Sequence, residues 1–124
     1  MMNEHVNLLL VDDDERNIFA LSAYLKSMKF KIESARDGRE CLDKIKKNHY
    51  DIVLLDMMMP IMDGFETLRE IRSDEALKRN KVIALTALAM KGDMDRCLEA
   101  GANEYCAKPV DIDVLVKKIN KLLL

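Results

Sequence analysis

Asp51-Ile52-Val53-Leu54-Leu55-Asp56-Met57-Met58-Met59-Pro60-Ile61-Met62-Asp63-Gly64 is the stretch from which the fold is read. Ile52 to Leu55 are continuously apolar, with no polar alternation. Such a run suits a strand covered on both faces, as in a sheet held between two helix layers. It ends in a carboxylate, Asp56, and Pro60 with Asp63-Gly64 then turns the chain toward a helix. In open α/β sheets, ligands bind at the carboxyl ends of the strands. Asp56 is therefore a candidate site residue from position alone.

Working outward, strand and helix patterns alternate along the whole chain. Val6 to Val11 is an apolar run closed by Asp12-Asp13-Asp14, and Ile18, Leu21, Leu25 and Met28 follow at helical spacing. Phe30 to Ala35 predicts a second strand, and Asp37-Gly38 leads into a helix carrying Cys41, Leu42 and Ile45. Asp51 to Asp56 is the third strand. Phe65, Leu68 and Ile71 mark the third helix, which ends near Ser73-Asp74. Val82 to Thr86 is the fourth strand; Met94, Cys97 and Leu98 mark a fourth helix that Gly101 terminates. Glu104 to Ala107 is a short fifth strand before Lys108-Pro109. Asp111 caps a last helix whose inward face is Ile112, Leu115, Ile119 and Leu122. The pattern predicts one α/β domain over residues 1–124, a doubly wound (βα)5 unit with a five-stranded parallel sheet. Right-handed crossovers leave few strand orders, of which the flavodoxin-like 2-1-3-4-5 is a common one.

Composition narrows the function classes. With 20 basic and 22 acidic residues the net charge is -2, so bulk electrostatic binding of nucleic acid or lipid is not expected. No apolar run reaches membrane-spanning length, and no signal-peptide progression opens the chain. Cys41, Cys97 and Cys106 are odd in number and lack CxxC spacing, which fits reduced, mostly buried thiols of a cytoplasmic protein. Met57, Met58, Met59 and Met62 are read as flexible packing or a partner-facing rim rather than a soft-metal site, since hard acids stand beside them. His49 is expected in solvent.

Under the 2-1-3-4-5 order, Asp12, Asp13, Asp56, Thr86 and Lys108 converge on one rim from the ends of four strands. Clustered carboxylates raise one another's pKa unless neutralised. Hard oxygen donors with open positions suit Mg²⁺, which favours sites completed by a phosphate. Thr86 offers a hydroxyl and Lys108 a point charge for a phosphoryl oxygen. Asp56 is then the natural nucleophile, since carboxylates form aspartyl-phosphate intermediates.

Val11-Asp12-Asp13-Asp14, Leu55-Asp56-Met57 with Met59-Pro60 and Met62-Asp63-Gly64, Thr86-Ala87 and Lys108-Pro109, in this order and spacing, resemble the receiver domain of two-component response regulators. The likeness covers essentially the whole chain. It implies that Asp56 accepts a phosphoryl group from a histidine kinase or a histidine phosphotransfer partner. It further implies that Asp13 and Asp56 hold Mg²⁺ (or Mn²⁺) with the backbone carbonyl of Met58, while Asp12 acts through bound water. Thr86 would close on the phosphoryl oxygen, Lys108 would pair with it, and Tyr105 would pack inward as Thr86 moves. The fourth helix, fifth strand and fifth helix would then present a switched surface to a downstream protein or fused domain. The resemblance implies a cis Lys108-Pro109 bond, and a domain that assists its own phosphorylation and dephosphorylation without being an enzyme in its own right. Met58 and Leu88 would flank the path of a hydrolytic water, and neither orients water by hydrogen bonding, so a long-lived acyl phosphate is expected.

Asp14 to Leu21 and Lys108 to Asp111 are similar to receivers fused to sensor histidine kinases, and the apolar Leu122-Leu123-Leu124 end fits excision from a longer protein. A stand-alone regulator is the alternative. No DNA-binding segment is expected. A rival reading takes Asp12-Asp13-Asp14 as the Asp-x-Asp opening of a haloacid-dehalogenase-like phosphatase, with Asp12 as nucleophile. It leaves Asp56 without a role and wants a cap and a later acidic pair that the chain lacks. A flavin mononucleotide carrier would need Gly, Ser and Thr after the first strand, where three acids stand.

Overall fold

The computed structural model describes residues 5–87 and 90–124. Strands β1 (Asn7–Val11), β2 (Lys31–Ala35), β3 (Ile52–Asp56), β4 (Val82–Thr86) and β5 (Glu104–Ala107) alternate with helices α1 (Glu15–Ser27), α2 (Gly38–Lys47), α3 (Gly64–Ser73), α4 (Lys91–Glu99) and α5 (Ile112–Leu123). All strand pairs are parallel and the order is β2-β1-β3-β4-β5, the doubly wound, flavodoxin-like arrangement expected.

Every residue of β3 and β4 is buried, as the continuous apolar runs require. The two-residue period sorts their side chains between two cores. Leu9, Val11, Val53, Leu55 and Ala84 face α2, α3 and α4, where they meet Cys41, Leu42, Leu68, Ile71 and Cys97. Leu8, Leu10, Ile52, Leu54, Ile83 and Leu85 face α1 and α5, where they meet Leu25, Leu115 and Ile119. Burying each such aliphatic side chain contributes about 1.5–3 kcal/mol, so the central strands supply a large part of the apolar stabilisation of the fold.

Four helices begin on an aspartate whose carboxylate accepts a backbone N–H of the first turn: Asp14 for α1, Asp37 for α2, Asp63 for α3 and Asp111 for α5. Helix α4 begins on Met90, which makes no side-chain cap. At its other end Gly101 adopts φ 113, the left-handed conformation that closes a helix and suits glycine.

The strands start one residue later than the sequence suggests in β1, β2 and β3. Asp51, just before β3, instead uses its carboxylate to accept the backbone N–H of Asn7 at 2.7 Å. Leu98 departs from its expected inward position and is 42% exposed. Only Cys97 of α4 is fully covered, because this short helix rests on the sheet along a narrow stripe. His49 is solvent-exposed as expected, 3.5 Å from Asp51. The three cysteines are buried free thiols. Among the described residues, no helix is long and apolar enough to cross a membrane.

Candidate functional site

The β1–β3 register pairs Val11 with Leu55, so Asp12 and Asp56, the next residues, emerge side by side. Asp13 completes a group of three carboxylates whose oxygens lie within 4.8 Å of one another. Asp12 and Asp56 are almost fully buried, whereas Asp13 faces solvent. Lys108 reaches across the end of β4 from beyond β5. Its Nζ stands 3.1 Å from Asp12 Oδ2 and 3.3 Å from Asp56 Oδ2.

Local backbone holds these groups in place. Asp12 Oδ1 accepts the N–H of Asp14 at 2.9 Å, and Asp56 Oδ1 accepts the N–H of Met58 at 3.0 Å. Gly64 lets the start of α3 press against the end of β3: a Cβ there would come 2.5 Å from Met57 Cα and 2.7 Å from Asp56 O. Thr86, buried, ends β4 opposite Ala107, and its carbonyl accepts the N–H of Lys108 at 2.8 Å. Thr86 therefore shares a backbone link with the residue that pairs with Asp56. Tyr105 lies two residues earlier on β5, half-buried against the core on the α4 side. The Lys108-Pro109 bond is cis.

The electrostatics favour a cation. Burial pushes the Asp56 carboxyl up, and the charge of Asp12 adds to this; the Met58 N–H and Lys108 pull it back. Burial alone would lower Lys108, but Asp56 and Asp12 outweigh it and raise its pKa. One ammonium against three carboxylates leaves excess negative charge in a partly dry cleft. Hard oxygen donors at this spacing fit a small divalent ion such as Mg²⁺.

Of the methionines read as flexible packing or a partner-facing rim, Met57 and Met59 pack in the core and Met58 is 54% exposed beside the site. Leu88, expected to flank the water path with Met58, lies outside the described residues. Two features were not anticipated. Arg72 clamps three segments together: its guanidinium donates to the carbonyls of Gly101, Lys78 and Asn80 and to Asn103 Oδ1, at 2.6–2.9 Å. Lys118 of α5 lies with its Nζ 4.5 Å from the Tyr105 ring centroid. Neither residue has a local sequence signal, since both act on distant segments.

The model of the response regulator receiver domain matches residues 8–120, and the chain belongs to that family. It is a receiver domain of two-component signalling, a regulatory rather than catalytic class, and nothing favours the haloacid-dehalogenase alternative. Among its relatives, "Hybrid signal transduction histidine kinase M" of Dictyostelium discoideum is 36% identical over 94% of this chain, which spans 5% of that protein. "Polar-differentiation response regulator DivK" of Brucella ovis is 31% identical, covering 94% of this chain and 95% of that one. Among solved structures, the receiver domain of sensor histidine kinase PA1611 from Pseudomonas aeruginosa superimposes with TM-score 0.86 at 35% identity. The match covers 94% of this chain and 96% of that one, and that structure carries a magnesium ion in its active-site cleft. The Saccharomyces cerevisiae Ssk1 receiver, crystallised with the phosphotransfer protein Ypd1, gives 0.85 at 27% identity, covering 94% and 88%.

Proposed function

We propose that residues 1–124 form one phosphoacceptor domain of a cytoplasmic phosphorelay and that Asp56 receives the phosphoryl group. The observation that carries this reading is the convergence of Asp12, Asp13 and Asp56 within 4.8 Å, with Lys108 Nζ 3.3 Å from Asp56. A phosphohistidine on a kinase or phosphotransfer protein is the donor class; the complex of Ypd1 with the Ssk1 receiver supports that choice. An Asp56 oxygen attacks phosphorus, a P–O bond forms, the P–N bond breaks, and the imidazole, already protonated on its other ring nitrogen, leaves neutral with the electron pair.

The chain's own residues make this step feasible. Burial renders Asp56 more basic than a surface carboxylate, while Lys108 and the Met58 N–H favour its charged form and offset part of that rise. Lys108 is placed to follow the incoming negative charge from Asp12 onto a phosphoryl oxygen. Asp13 and Asp56, with the Met58 carbonyl and with Asp12 through water, would hold Mg²⁺ or Mn²⁺. When bound, the ion supplies Lewis-acid stabilisation of the phosphoryl oxygens.

Output follows from the same connections. Thr86 turns its hydroxyl to the phosphoryl group, and its pairing with Ala107 carries the displacement to β5. Tyr105 then packs inward, and the α4-β5-α5 surface changes for a downstream protein or fused domain. Helix α4 is the one of the five that starts without a side-chain cap among the described residues. The test is labelling by a small phosphodonor with Mg²⁺. The chain should gain one phosphoryl group, and chelating the metal should stop the reaction. Equal labelling in chelator would refute the metal-assisted step.

A further inference from the structure

Strand β5 lies at the edge of the sheet, and Tyr105 is where its backbone is covered by side chains. The Tyr105 N–H donates to Glu104 Oε1 at 3.1 Å, and its carbonyl accepts from Lys118 Nζ. Lys118 belongs to α5, on the opposite face of the sheet from the core that Tyr105 packs against. Its side chain therefore passes around the open edge of β5. The ammonium ends 4.5 Å from the centre of the Tyr105 ring and 3.7 Å from Glu104 Oε1. Only 25% of the Lys118 side chain is exposed, which is unusual for lysine and marks a fixed position rather than a solvated one.

We infer that Lys118 is a latch on the Tyr105 ring, a positioning residue that favours the half-buried conformer of this structure, in which the ring lies beside the ammonium at the sheet edge. This rests on the reading above in which Tyr105 turns inward with phosphorylation. The carbonyl bond survives that rotation, because the backbone of β5 is paired with β4. The ring contact does not survive, because turning toward Thr86 carries the ring away from the edge where the ammonium sits. An attraction made in one of two states biases the balance toward that state by its full strength. For a cation over an aromatic face near solvent this corresponds to about a two- to five-fold shift. Lys118 also ties the same ring to α5, so α5 senses which conformer is present.

The test is a beryllofluoride titration in Mg²⁺ of wild type, Lys118→Gln and Lys118→Arg, followed through amide resonances. Lys118→Gln should bind about two- to five-fold tighter than wild type. Its free Thr86 and Ala84 amides should lie part-way along the line joining the wild-type free and bound positions. Lys118→Arg, which still places a cation on the ring, should restore wild-type affinity. A purely structural loss at position 118 would weaken binding instead. Unchanged or weaker binding by Lys118→Gln, with normal wild-type shifts, would overturn the latch alone. Absence of any wild-type shift between Thr86 and Lys108 would overturn the switch reading and the latch with it.

Discussion

Lys108 Nζ stands 3.3 Å from Asp56 Oδ2, an ion pair closed across the end of β4 with both side chains largely buried. Such pairs contribute little net stability, but removing one member strands the other charge. Lys108→Met should therefore destabilise the metal-free domain by ~2 kcal/mol, less than a fully buried pair because 22% of the lysine side chain remains exposed. Mg²⁺ should recover part of this loss. Asp13→Asn should leave metal-free stability unchanged or slightly raised, since it removes one of three clustered carboxylates, yet remove most of the rise in Tm that Mg²⁺ gives wild type. Thermal and urea unfolding with and without Mg²⁺ measure both; a full Mg²⁺ response in Asp13→Asn would exclude it as a ligand.

Arg72 should matter more than its position at the end of α3 suggests. Its four hydrogen bonds join α3 to the start of β4 and the α4–β5 turn. Lysine lacks the fork geometry that serves these acceptors. Arg72→Lys should cost about 2–3 kcal/mol in urea unfolding. A change below about 0.5 kcal/mol would place it with ordinary surface substitutions.

Met90 leaves α4 without a side-chain cap. Met90→Asp should add ~1 kcal/mol by accepting a first-turn N–H. The same variant should shrink the beryllofluoride-induced amide shifts in α4, because a better-fixed helix start resists displacement. Stabilisation with undiminished shifts would separate the cap from the switch.

Burial pushes the Cys41 thiol from 9.0 up to about 12, with Asp37 and Glu40 adding to the effect. The folded state thus keeps a proton that the unfolded chain releases above pH 9. Its stabilising contribution is whole below the unfolded value and is lost progressively between pH 9 and 12. Cys41→Ala should accordingly cost about 1 kcal/mol less at pH 10 than at pH 8. Equal costs at both would mean that the thiol titrates normally.

The alternation of strands and helices and the acids at the strand ends were legible because each rests on local pattern, whereas the strand order came from the few orders that right-handed crossovers allow. Ile52 to Leu55 could be covered on both faces only in a central strand, and Asp56 then had to fall at its carboxyl end. Lys108 joined the rim as the residue just past the fifth strand under the assumed 2-1-3-4-5 order. Leu98 was misplaced because α4 is short and its contact stripe narrow, so helical spacing alone did not set its rotation. Arg72 and Lys118 were invisible for another reason. Their partners, Gly101 and Tyr105, are brought to them by the sheet order and the edge of β5, which no nearby residue encodes.

The central claim is that the phosphoryl group resides on Asp56, and locating the acyl phosphate tests it most directly. After labelling with a small phosphodonor and Mg²⁺, borohydride reduction converts the phosphorylated aspartate to homoserine, which peptide mass spectrometry places in the sequence. The account predicts homoserine at position 56 in wild type and no labelling of Asp56→Asn. Homoserine at position 12 or 13, or undiminished labelling of Asp56→Asn, would contradict it.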